Sequence, residues 1–135
     1  MKQQSEGSIV QVESSHHHVQ SLIEKARGAW VARDIDALAA LFSSNAEFIV
    51  PGQRLQGKSR IREELKKFVE RYSDVNITIK RVVTEGNQAA VEWHYEDTKK
   101  ATGQRNATDD VIIIEVDQGR ICYWREYFDT ETLSQ

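Results

Sequence analysis

Apolar positions recur along this chain with two different periods, and the point where the period changes divides it. From Val19 the apolar residues fall at helical spacing, as Val19, Leu22, Ile23, Ala26 and Trp30, with Gln20, Glu24, Lys25 and Arg27 on the other side. That stripe predicts an amphipathic helix over about residues 15–33. Asp34 is placed to cap a second helix over residues 34–42, with Ile35, Leu38, Leu41 and Phe42 inward and Ser43-Ser44-Asn45 ending it. The short run 46–50 reads as a strand stopped by Pro51-Gly52. A third helix is predicted over 58–72, where Ile61, Leu65, Phe68, Val69 and Tyr72 form one stripe.

Beyond Ser73-Asp74 the period is two. Val75, Ile77 and Ile79 alternate with Asn76, Thr78 and Lys80, which predicts a strand over 75–83. Further strands follow over 88–97, 106–116 and 121–128. Glu85-Gly86-Asn87 and Asp117-Gln118-Gly119-Arg120 supply the turns, and Gly119 suits a positive φ. Helices first and hairpin-linked strands last describe an α+β domain. Residues 1–15 are polar without periodicity and read as a flexible tail, which leaves 16–135 as a single domain without repeats.

Alternation also assigns faces. Ala89, Val91, Trp93, Tyr95 and Asp97 share the face that should meet the helices, while Glu92, His94 and Glu96 point away. Asp110 travels with Ile112, Ile114 and Val116. In the last strand Cys122, Trp124, Glu126 and Phe128 form the more apolar set and are placed inside, with Tyr123, Arg125 and Tyr127 outside. Glu126 then lies in apolar surroundings, where a carboxylate needs hydrogen bonds, a partner or a raised pKa. If Asp110 or Asp97 lies beside it, the two are driven toward unequal protonation, a basis for acid and base roles. The plainer alternative is a solvated carboxylate or one bridged to Arg105 or Arg125. Glu126 and Asp110 are the catalytic candidates, and Trp93, Tyr95, Asp97, Trp124, Phe48, Trp30 and Phe128 are the candidate substrate contacts. His94 reads as a surface or interface residue, and Cys122 as a small core residue.

Composition narrows the partners. The net charge of −3, from 18 basic and 21 acidic residues, argues against nucleic acid. The basic run Lys66-Lys67 with Arg71 shares its helix with Glu63, Glu64 and Glu70 and reads as a solvated face. One cysteine precludes an internal disulfide or a thiolate metal cluster and is compatible with a cytoplasmic location. No apolar stretch is long enough for a signal segment or a membrane span. His16-His17-His18 read as exposed residues at a helix start. Neither a nucleophile elbow nor a phosphate-binding glycine loop is present, and no metal or organic cofactor is implied.

The order Ala32-Arg33-Asp34-Ile35-Asp36-Ala37-Leu38, the strand and turn 46–52, the helix start Gly57-Lys58-Ser59-Arg60-Ile61 and the ending 119–129 resemble the nuclear-transport-factor-two-like superfamily in its SnoaL-like branch. The resemblance implies a cone-shaped domain, three N-terminal helices packed on a curved, mainly antiparallel sheet that encloses a pocket. It also implies a homodimer formed through the outer sheet face. Limonene epoxide hydrolases carry a water-activating carboxylate at the position of Glu126, and SnoaL-like polyketide cyclases an aspartate acid/base there. The epoxide hydrolases' earlier arginine and aspartate correspond to Tyr95 and Asp97, so the arginine is missing. Val50 stands where ketosteroid isomerases place their general base, and a valine moves no proton.

The function expected from these readings is binding of a small, mostly apolar organic molecule in an internal pocket. Cofactor-free proton transfer (cyclisation, isomerisation or hydration) through Glu126 would be its chemistry. The alternative is a non-enzymatic homodimeric or protein-interaction module whose core is filled around Trp93, Trp124 and Phe48. A cavity of a few hundred Å³ separates the two.

Overall fold

A computed structural model of the chain describes residues 18–129. Helix α1 occupies residues 18–32, followed by α2 (Ile35–Ala40), strands β1 (Phe42–Val50) and β2 (Gln53–Gln56), and α3 (Lys58–Arg71). Four long strands complete the fold: β3 (Tyr72–Glu85), β4 (Gln88–Lys99), β5 (Arg105–Asp117) and β6 (Arg120–Tyr127). The expected tail over 1–15 lies outside the described residues, as do His16 and His17.

The six strands form one sheet in the order β2-β1-β6-β5-β4-β3, antiparallel except for the β1–β6 pair. The α+β assignment with three helices on a mainly antiparallel sheet stands. The cone does not: among the described residues β2 and β3 are open edges, and the sheet neither closes nor curls strongly enough to enclose a pocket. Closure would need the two edge strands to pair. β2 is only four residues long, and β3 gains its pairing from β4 alone.

Helices cover one face of the sheet. Val19, Leu22, Ile23 and Ala26 of α1 are buried at the helical spacing that predicted them, as are Ile61 and Leu65 of α3. Strand alternation supplies the other half of the core, with Val91, Trp93, Ile112 and Ile114 fully or almost fully enclosed.

Three local readings change. Phe42 does not close α2, because Leu41 caps that helix onto the carbonyls of Leu38 and Ala39 and Phe42 enters the core from β1. Ser43, Ser44 and Asn45 stay within β1, where the register against β6 shifts between Phe42 and Glu47. Residues 53–56 pair back on β1 through Phe48↔Leu55, and the turn uses Gly52 at φ 83. Only Leu55 is buried in that segment, so no period marks it as a strand.

Cys122 is the third. The β5–β6 register moves from Glu115↔Tyr123 to Val116↔Ile121, leaving Cys122 as the extra residue of a bulge. Ile121 therefore takes the core position, and Cys122 sits half-buried with its thiol directed to the Glu115 carbonyl at 3.4 Å.

The junction of α1 and α2 depends on Asp34, whose Oδ1 accepts from the Ala37 N–H at 3.0 Å. Asp34→Ala removes this cap and is expected to lower stability by about 1 kcal/mol in denaturant titrations. An unchanged unfolding midpoint would show that contacts to β1 and α3 alone hold α2.

Candidate functional site

Between α3 and the helix-facing side of the sheet lies a cleft of about 480 Å³. Its floor follows from register. Trp93, Tyr95 and Asp97 descend along one face of β4, and their partners on β5 are Asp110, Thr108 and Asn106. Glu126 of β6 pairs with Ile112, which puts it diagonally next to Asp110 on the same face. Phe48, Trp30 and Phe128 supply apolar wall, and Trp30 meets Phe68 edge-on at 5.1 Å.

Trp124 is placed differently. It is fully buried behind the floor, stacked on Phe48 at 5.9 Å, and does not line the cleft. Its indole N–H nevertheless reaches the site, donating to Glu126 Oε2 at 2.8 Å. This bond fixes one oxygen of Glu126 while the side chain remains part-exposed.

Asp110 is almost wholly enclosed, and its Oδ1 meets no hydrogen-bond donor among the described residues. Burial pushes its pKa up to about 10, and the contact with the Glu126 carboxyl acts in the same direction. Two carboxylates cannot attract each other; a proton on Asp110 turns the contact into an O–H donated to Glu126. The Trp93 indole and the Tyr127 backbone N–H oppose the shift, but less strongly. Trp93 Nε1 and Trp30 Nε1 are themselves buried without a partner. All three unpartnered buried side-chain atoms found among the described residues thus belong to residues lining the cleft.

Asp97 is buried too, yet well supplied. Its Oδ2 accepts from the Tyr95 hydroxyl at 2.7 Å and its Oδ1 from Asn106 Nδ2 at 2.9 Å. Burial and the Asp97 carboxylate both drive the Tyr95 phenol pKa far upward, and Glu126 adds to the effect. Tyr95 is therefore a neutral hydroxyl committed as a donor to Asp97.

The arginines that could have neutralised the inward carboxylates are engaged elsewhere. Arg105 reaches Asp74, Thr98 and Glu96, and Arg125 lies over the Tyr127 ring at 4.9 Å. His94 faces outward as alternation required, with Nδ1 2.9 Å from Asp109. Asn106 and Thr108 were not among the sequence candidates, although counting back by twos from Asp110 finds them. Lys67 and Arg71 were read as part of a solvated face; both border the cleft. Helical periodicity cannot show which solvent-facing positions overhang a pocket.

The SnoaL-like domain pattern matches residues 23–124, and the chain belongs to that family. No curated protein matches the chain. Among solved structures, an LEH-like epoxide hydrolase from M. tuberculosis superposes with a TM-score of 0.78 at 23% identity, covering 87% of both chains. A hypothetical protein from Catenulispora acidiphila with a ketosteroid isomerase-like fold, solved in complex with trimethylamine, gives 0.77 at 17% identity, over 83% of this chain and 88% of that one. An NTF2-like protein from Burkholderia xenovorans gives 0.71 at 23% identity, over 87% and 94%. At these identities the likeness establishes the fold, and the chemistry must come from the residues of this cleft.

The protonated Asp110 carries a sign for stability. Its folded pKa lies above the ordinary 3.8, so between the two values the folded state binds more protons than the unfolded one. The stabilisation it contributes is complete below 3.8 and is lost as pH rises toward 10. Asp110→Asn keeps a donor toward Glu126 and removes the titration. Denaturant unfolding between pH 5 and 9 should show wild type losing on the order of 1 kcal/mol per pH unit at most, relative to the variant. Parallel pH profiles would place Asp110 in an ionised, solvated state.

Proposed function

We propose that this chain binds a small, mostly apolar organic molecule in the cleft and catalyses cofactor-free proton transfer on it. The observation that carries the reading is the Asp110–Glu126 contact at the cleft floor, where a neutral carboxyl meets one anchored by the Trp124 N–H. Such a pair holds a proton donor and a proton acceptor in one place. Glu126 takes a proton from substrate carbon or from water. Asp110 returns one to the oxygen on which negative charge develops, so protons balance and no electrons leave. Cyclisation, isomerisation and hydration all fit this scheme. The size of the cleft and its apolar walls suit a ligand of one or two rings.

The rival reading, a module with a filled core, is disfavoured by the same volume: Trp93 and Phe48 border open space. Self-association fits either function. Val111 and Tyr127 are paired neighbours at the outer face, 37% and 49% exposed, and we assign a homodimer contact there. Sedimentation equilibrium should give a dimer at micromolar concentration, and Tyr127→Lys should weaken it.

Proton abstraction can be read without knowing the natural substrate. In D2O, cyclic ketones should exchange α-protons faster with the protein than with buffer. Glu126→Gln should reduce that excess by about 10²–10⁴-fold while leaving the circular dichroism spectrum intact. Exchange unaffected by the substitution would remove Glu126 from the reaction.

A further inference from the structure

The exposed residues at the mouth of the cleft differ in sign from the protein as a whole. Five lining residues are exposed: Gln53, Lys67, Arg71, Lys99 and Gln104. Every charged one among them is a cation, on a chain whose net charge is −3. The carboxylates of the lining lie deeper, Asp97 and Asp110 buried and Glu64 and Glu126 part-buried.

The cations are also grouped. Lys67 and Arg71 stand one helical turn apart near the end of α3, and Lys99 pairs across the sheet with Tyr72, the residue after Arg71. The Lys100 N–H donates to the Arg71 carbonyl at 2.9 Å, which ties the end of α3 to the end of β4. Lys67 spends its charge on Glu64 at 3.2 Å, the contact that lowers the Glu64 pKa most. Arg71 and Lys99 form no ion pair among the described residues.

We infer that the cleft selects amphipathic anions: a hydrophobic ring body against Trp30, Phe48 and Phe68, with a carboxylate at the mouth held by Arg71 and Lys99. This deepens the proposed function and rests on it, since it names the class of molecule the same cleft takes. The arrangement separates two tasks. The anion is held at the solvent edge, where an exposed cation costs little to desolvate, and the apolar end is delivered to Asp110 and Glu126. An ammonium-bearing ligand would meet repulsion at the same edge.

The test uses matched pairs: benzoate, 2-naphthoate and 1-adamantanecarboxylate, each against its neutral carboxamide, titrated calorimetrically into the full chain at low salt. At least one acid should bind about tenfold more tightly than its amide, the effect of two partly exposed charge contacts. The double variant Arg71→Gln/Lys99→Gln should erase that preference by weakening the acids about tenfold, with a smaller loss for the amides. Half-molar salt should erase it in the unaltered chain, which serves as a check independent of the variant's folding. Equal binding of acid and amide, or a preference that survives both the variant and the salt, overturns the inference while leaving the pocket intact. If no acid and no amide binds, the small-molecule reading falls, and this inference with it.

Discussion

The burial of Trp124 joins the fold to the site. Its ring stacks on Phe48, leans on Phe42 and meets Trp93, so one side chain of β6 holds together β1, β4 and its own strand. That cluster makes the parallel β1–β6 pairing worthwhile, because Phe42 and Ile121 are enclosed beside it. The buried Trp124 indole N–H has a partner in Glu126, which the Trp93 indole lacks among the described residues. The packing of the core thereby sets the position of the carboxylate on which the proposed chemistry depends.

From that anchor the electrostatics of the cleft follow. Glu126 is fixed from below, Asp110 is brought beside it by the β5–β6 register, and among the described residues neither has an arginine to neutralise it. Asp110 carries the cost of burial by keeping its proton. Asp97, buried as deeply, has two strong donors instead and serves to hold Tyr95. Carboxylates of similar depth thus have different roles because their neighbours differ. The family fold permits each arrangement and dictates none.

Much of this was legible in the sequence because strands alternate strictly. Trp93, Tyr95, Asp97, Asp110 and Glu126 were assigned to one face, and the cleft brings them together. The reading failed where a residue is added or a pattern is too short. Cys122 was placed inside because alternation assumes no bulge, and one extra residue exchanges it with Ile121. Strand β2, with one buried residue, left no period to detect. Trp124 was expected to touch substrate, but period two fixes a face and not a depth. The cone inferred by resemblance required knowing whether the edges pair, a long-range property absent from local periodicity. The roles of Asp110 and Glu126 depended on their contact, which spacing along two strands does not reveal.

The central claim is that Asp110 is a neutral acid at physiological pH, in contact with Glu126. Carbon-13 labelling of aspartate carboxyls, with Asp110→Asn to assign the signal, measures this directly. The Asp110 resonance should stay at its protonated position through pH 7 and move only in the alkaline range. A titration centred near the ordinary aspartate value of about 3.9 would contradict the claim and with it the acid–base pair.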